Sequence, residues 1–405
     1  MDEIVRSVPG VFSFIGSDGR DLRELAMELN SNWAMYIVKR NGDNARLSEL
    51  EKTLEKIKTE GIDRQSMTAL ESLSDFSPLD HRYPLSSYTL KPSMTNSNVA
   101  VEEVNHRIIG IAKNMVGRLV EFIKKIIQMI KEKLPSFVKR RERQKEGVEK
   151  RNNDPRPTEF MSPEEIKSDE ELRTYASAMD SAFNVVVSRL ADPGDRLLTE
   201  YQRATHTFEG DLKDMIQELD RVNRVVDKLS SGGNVSEEEV AAASSDDDIV
   251  IDGINRFSGY LGTRSNDNRQ SIRAIKDWFT VSSEEHRSLD VMDVAKVQGI
   301  VDHLTKVLSA SNSPLIIPDN IFALFGTLGT KLEDVSAKLV SVTDKLDTQS
   351  TTEWPEIRSL ISTVERISNE HFNILRFFQF SEDMFSEAYR FFVISDEWLR
   401  KIGKK

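Results

Sequence analysis

One stretch of this chain constrains its fold more than any other. Residues 104–134 carry apolar side chains at helical spacing, with cations opposite them. On a helical projection Ile108, Ile111, Ala112, Met115, Leu119, Phe122, Ile123, Ile126 and Ile130 fall within about 120° of arc. Ile109, Val116, Val120 and Ile127 widen this face to about half of the cylinder. Asn114, Arg118, Glu121, Lys124, Lys125, Gln128, Lys131 and Glu132 occupy the other half, with Lys133 the main exception. Such a helix is about 46 Å long, and its apolar half must be covered by something. Three covers are open. The first is another helix, in the same protein or in an oligomer. The second is an anionic membrane surface, because an apolar half with a Lys-rich half is the composition of interfacial helices. The third joins burial of the apolar face to nucleic acid on the basic face.

The cations outlast the apolar stripe. Lys139, Arg140, Arg141, Glu142, Arg143, Gln144 and Lys145 have no helical stripe among them and read as a solvated basic arm reaching Arg151. An arm of this kind suits phosphate and has no base-reading pattern. The anionic-partner surface expected from sequence is therefore Arg118, Lys124, Lys125, Lys131, Lys139, Arg140, Arg141 and Arg143. Residues 107–151 hold 14 Lys and Arg against 5 Asp and Glu, a local charge of +9. The whole chain carries −12, so the remainder carries −21.

The rest of the chain reads as all-α, in elongated helical bundles. Its 405 residues suffice for two or three domains. A content of 38% hydrophobic and 30% charged residues suits narrow bundles, in which each helix buries one stripe. Residues 1–71 form a small helical segment, with Leu22, Leu25, Leu29, Trp33 and Ile37 on one stripe and Leu47, Leu50, Leu54 and Ile57 on another. Gly42 and Asp43 punctuate between them, and Gly61 ends the second. Residues 72–101, with Pro78, Pro84 and Pro92 among Ser, Thr and Asn, read as an extended linker. The basic helix and arm fill 102–151, and Asn152, Asn153, Pro155 and Pro157 mark a domain boundary. An acidic helical part spans 162–405, with a split near 230–252. Its first helix starts at Ser162-Pro163-Glu164-Glu165, an N-cap Ser with Pro and then Glu in the first turn. Helices are predicted over 165–190, 195–230, 267–279, 289–309, 318–346, 354–378 and 382–400. The aromatic-rich final fifty residues read as the core of a packed helical hairpin.

Chemistry is hard to find. With no Cys there is no disulfide, thiolate nucleophile or Cys-ligated zinc. The six histidines are scattered, none in an H-E-x-x-H spacing, and neither a G-x-S-x-G elbow nor a phosphate-binding loop occurs. Asp246, Asp247 and Asp248 with Asp252 lack the Gly and terminal Glu of a calcium loop and read as a solvated charge run. No secretory signal opens the chain and no apolar run is long enough to span a bilayer. A non-catalytic protein without cofactor or metal is expected.

The segment Ala69-Leu70-Glu71-Ser72 follows a short helical piece and precedes the Ser/Pro-rich stretch. This layout, over roughly residues 1–140, resembles the internal head proteins of giant tailed phages of the phiKZ type. Such proteins enter the procapsid with an N-terminal propeptide, which a maturation protease removes by cutting after a small residue, any residue and Glu. The resemblance implies a cut between Glu71 and Ser72, with Ala69 as the small residue, Leu70 between and Glu71 as the recognised acid. Small-x-Glu triplets are numerous, including Ala26-Met27-Glu28, Ala100-Val101-Glu102 and Ser162-Pro163-Glu164. Position separates them, since a helix resists proteolysis and a loop border does not; Glu102 is the second candidate. The resemblance further implies residence in the virion, inside the capsid, and ejection with DNA. Its partners would be capsid-interior or scaffold proteins, the maturation protease, packaged DNA bound non-specifically, or an anionic membrane, with an oligomer open. The competing expectations are a cytoplasmic helical-bundle scaffold or interaction protein and a peripheral membrane protein acting through 104–134.

Overall fold

The computed structural model describes residues 18–72, 89–94, 97–244, 249–263, 265, 267–309, 317–346 and 354–404. Within these it describes the side chains apart from 18–30, 32, 33, 69–72, 99, 129, 130, 132–141 and 354. The protein is all-α. Thirteen helices occur among the described residues: α1 Asp18–Glu60, α2 Arg64–Ser72, α3 Ser97–Asn153, α4 Pro163–Ser168, α5 Glu170–Ala182, α6 Val185–Ala191, α7 Leu197–Ser230, α8 Glu237–Ala243, α9 Asp252–Tyr260, α10 Asn268–Glu284, α11 Val294–Ser309, α12 Asp319–Lys345 and α13 Trp354–Lys401. Among the described residues, β-type pairing consists of isolated antiparallel bridges, Ile62 with Ser93, Phe160 with Gly403 and Asn184 with His286.

Several helices are longer than the stripes predict. The basic helix is the 57-residue α3, which begins at Ser97 and passes through Pro135 to Asn153. Its final turns are helical rather than an arm, and they bury Gln144 and Val148. Gly42 and Asp43 do not interrupt α1; Gly42 has open space around it, and Asp43 is buried against Arg118. A glycine inside a helix costs only about 1 kcal/mol, which side-chain packing of the flanking turns outweighs. The two helices predicted over 354–400 are one, α13, because no Gly or Pro lies between Gln379 and Trp398 to stop it. Conversely, the helix predicted over 165–190 is three, divided at Asp169 and Asn184. Each of these residues caps the next helix, accepting from Leu172 N at 3.1 Å and from Val187 N at 2.9 Å. The capping box at Ser162 is present: Glu165 N donates to Ser162 Oγ, and Ser162 N donates to Glu165 Oε2.

α13 is the mast of the fold and packs against α3, α5, α6, α7, α8, α10, α11 and α12. Its aromatic residues Phe372, Phe377, Phe378, Phe385, Phe391, Phe392 and Trp398 are buried. Phe377 stacks on Tyr201 of α7 at 5.1 Å between ring centres, and Phe208 meets it edge-on at 5.0 Å. The ion pairs of α12 with α3, Lys113 with Asp344 and Lys131 with Glu333, set these two helices antiparallel. One hydrophobic cluster runs from Tyr36 to Ile402 and includes buried residues from both sides of the turn at 152–157.

Candidate functional site

The site is the flank of α3. Its apolar stripe packs inside the protein: Ile108, Ile111, Met115, Leu119, Phe122, Ile123 and Ile126 are all buried, as are Ile109, Val116 and Ile127. The Ile130 side chain lies outside the described residues. The cover comes from α1 on one side and from α11, α12 and α13 on the other. A half-cylinder of apolar surface accounts for this arrangement, since a wide stripe needs neighbours on both shoulders.

Phe122 shows how the two shoulders meet. Tyr36 of α1 stacks on it at 4.9 Å with the rings 13° apart, and Phe372 of α13 meets it edge-on at 6.1 Å. The Tyr36 hydroxyl donates to Glu365 Oε1 at 2.5 Å, and Arg40 Nε donates to Glu365 Oε2 at 2.7 Å. Burial and the Glu365 carboxylate push the Tyr36 hydroxyl above the usual phenol range, so it remains a donor. Arg118 donates to Asp43, and Arg358 donates to Glu51 at 2.5 and 2.6 Å. The rising α1 numbers pair with falling numbers on α3 and α13, so α1 runs antiparallel to both.

The basic face is partly consumed by the fold. Arg118 pairs with Asp43, Lys131 with Glu333 at 3.6 Å, and Arg151 with Asp396 and Glu397. Lys124, Lys125 and Arg143 are exposed. The side chains of Lys139, Arg140 and Arg141 lie outside the described residues, although their backbone belongs to α3. Of the expected surface, Arg118 is held against a buried acid, while Lys124, Lys125, Arg143 and, despite its pairing with Glu333, Lys131 face solvent.

The C-terminal end of α3 is tied down differently. Asp396 of α13 is fully buried and accepts from three guanidinium groups: Arg151 at 3.1 Å, Arg156 at 2.8 Å and Arg400 at 2.9 Å. Burial alone would raise this carboxyl; Arg400 and Arg156 hold it below its ordinary 3.8. Sequence reasoning missed this knot, as it missed the Tyr36, Arg40 and Glu365 group. The available signal was an acid inside the apolar run Phe392, Val393, Ile394 and Trp398, four residues before an arginine.

Ala69, Leu70, Glu71 and Ser72 form the end of α2, and their side chains lie outside the described residues. The two helices α1 and α2 are anchored beyond Glu60 by a small exchange of backbone bonds. Ile62 N donates to Ser93 O at 2.9 Å, Ser93 N to Ile62 O at 3.2 Å, and Arg64 N to Thr89 O at 2.9 Å. Glu102, the second cleavage candidate, sits in the second turn of α3.

His371 is buried with Nε2 3.1 Å from the Phe325 carbonyl, which can only accept, so Nε2 carries the proton. Burial brings its pKa down to about 4, which makes it a neutral packing residue. Asp246, Asp247 and Asp248 lie outside the described residues. No group of His, Asp and Glu that could hold a metal ion, and no helix long and apolar enough to cross a membrane, occurs among the described residues. No protein-family model matches the chain, and no curated protein or solved structure matches it either.

Proposed function

We propose that this protein is a non-catalytic structural component of a phage virion, carried inside the capsid and cut once between Glu71 and Ser72. The observation that carries the reading is the position of the N-terminal helices. α1 lies on the outside of the bundle, packed chiefly against α3, and α2 ends on Ala69-Leu70-Glu71-Ser72. A segment placed there is a detachable unit, while the mast α13 and its eight neighbours keep their own shared core. The solvent-facing Lys124, Lys125 and Arg143 supply a surface for non-specific contact with packaged DNA. Intact-mass measurement on the protein from purified virions tests the reading: a chain beginning at Ser72 is expected. Residues 1–71 present at full abundance, or no such protein in the capsid, would sink it.

A second reading is a helical scaffold or interaction protein that is never cut. The internal cover on the apolar stripe favours it, because α3 needs no outside partner to bury Phe122 or Ile123. The same cover removes the support for a membrane role of residues 104–134, whose apolar face would have to leave the core first.

A further inference from the structure

The bonds between α1 and the rest of the protein have two properties. First, among the described residues, Tyr36, Arg40, Asp43, Glu51, Ile62 and Arg64 on one side bond to Thr89, Ser93, Arg118, Phe122, Arg358 and Glu365 on the other. None depends on the chain continuing from Ser72. Second, they mix an apolar stripe with charges: Tyr36, Leu47, Leu50 and Ile57 are buried, and three ion pairs flank them. The Arg358–Glu51 pair is partly exposed on both partners, and the Arg118 guanidinium also reaches water although Asp43 is buried, so salt screens the first pair most. The third centres on Glu365, a buried carboxylate that α1 alone supplies with Tyr36 and Arg40. Gly61 completes the latch. Its φ is +82°, and a Cβ there would stand 2.3 Å from the Ser93 carbonyl carbon, so only glycine lets the two backbones approach.

We infer that residues 18–71 are a non-covalently held cap over α3 and α13, one that stays in place when the chain is cut after Glu71. Cutting and uncovering are then separate events. While the cap is seated, the Phe122 ring and the Arg118, Arg358 and Glu365 side chains are occupied. When it leaves, α3 presents Phe122 and Arg118, and α13 presents Arg358 and Glu365 beside them. The setting of this inference rests on the processing reading above; the retention itself does not, because it follows from bonds on both sides of the cut.

The test uses the full chain with a specific protease recognition sequence inserted between Glu71 and Ser72, cut under native conditions. Size-exclusion chromatography with mass detection then follows the two pieces. At about 0.1 M salt, a one-peak elution of 1–71 with 72–405 is expected. Raising salt to about 1 M should weaken the association several-fold, with the helical circular-dichroism signal of 72–405 unchanged. Gly61→Ala should raise the dissociation constant about tenfold or more, since it breaks the latch at Ser93. Prompt separation of the parent pieces at low salt would overturn the inference. So would loss of helix in 72–405 once 1–71 is gone, because residues 18–71 would then be an integral part of the core and no cap. An engineered cut makes these outcomes independent of whether the virion protein is processed, which the intact-mass measurement decides separately.

Discussion

The two ends of α3 are fastened to α13 by opposite means. Near its N-terminal half, α1 bridges the two helices through Glu365, with a tyrosine and one arginine as donors and two further ion pairs at the rim. At its C-terminal end no bridging helix is needed: Asp396 receives Arg151, Arg156 and Arg400 directly, and Met161 N donates to Ile402 O at 2.8 Å beside them. The first fastening is spread over three pairs, in which the acids Glu365 and Asp43 are buried but the three guanidinium groups and Glu51 reach water. The second is concentrated on a carboxylate with no exposed surface. Burial makes a charge pair costly to break at one partner, whereas half-exposed pairs contribute little each. The difference makes the first end a joint and the second an anchor.

Breaking the anchor should have the largest effect. Asp396→Ala leaves three guanidinium groups without their shared acceptor and is expected to cost about 3–5 kcal/mol, measured by chemical denaturation. A cost below about 1 kcal/mol would show that the knot is no anchor. Its pH dependence is specific. The folded pKa of Asp396 lies below 3.8, so its contribution is present above that value and is lost as pH falls through the folded pKa. The anchor therefore holds through the neutral range and fails only in acid.

Glu370, also buried on α13, sharpens the comparison because it has neutral donors. Asn268 Nδ2 and Asn373 Nδ2 donate to it at 2.7 and 3.0 Å, and burial raises its pKa from 4.5 to about 7. A raised carboxyl contributes stability below pH 4.5 that is lost as pH rises towards 7. Glu370→Gln should thus remove a stability loss on the order of 3 kcal/mol between pH 4.5 and 7, read from denaturation midpoints across that window. An unchanged slope would mean that guanidinium partners are not what separates Asp396 from Glu370.

The joint should respond more mildly. Tyr36→Phe deletes one hydrogen bond while keeping the ring on Phe122, and Arg40 still pairs with Glu365; a loss of about 1–2 kcal/mol is expected in thermal unfolding. Smallest of all, Lys124→Ala with Lys125→Ala should leave stability within about 0.5 kcal/mol. If packaged DNA is a partner, the same pair should lower the slope of binding against salt by about 1–2. A stability change larger than that, or an unaltered slope in a protein that binds DNA, would place the useful cations elsewhere.

Much of the fold was legible from pattern. The apolar stripe of α3 lies where the periodicity puts it, and the Ser162 capping box forms as its residue types require. The lengths were not legible. Asp43 inside α1 and the unbroken course of α13 depend on neighbours far away in the chain, which local propensity does not register. The candidate site divides in the same way. Its apolar residues could be named in advance, but two of its cations, Arg118 and Lys131, turned out to be paired with Asp43 and Glu333.

The sequence by itself therefore determined the helical class, the faces that had to be buried, and the concentration of positive charge between residues 107 and 151. These follow from spacing and composition, which are local. Only the tertiary structure decided that α1 packs over part of that face, and that Glu365 and Asp396 are the points where α13 is fastened to α1 and to the end of α3. It also decided which lysines remain turned to solvent. The physical reason is that pairing depends on distances between residues some 75 to 329 positions apart, and no periodicity in the chain encodes those distances.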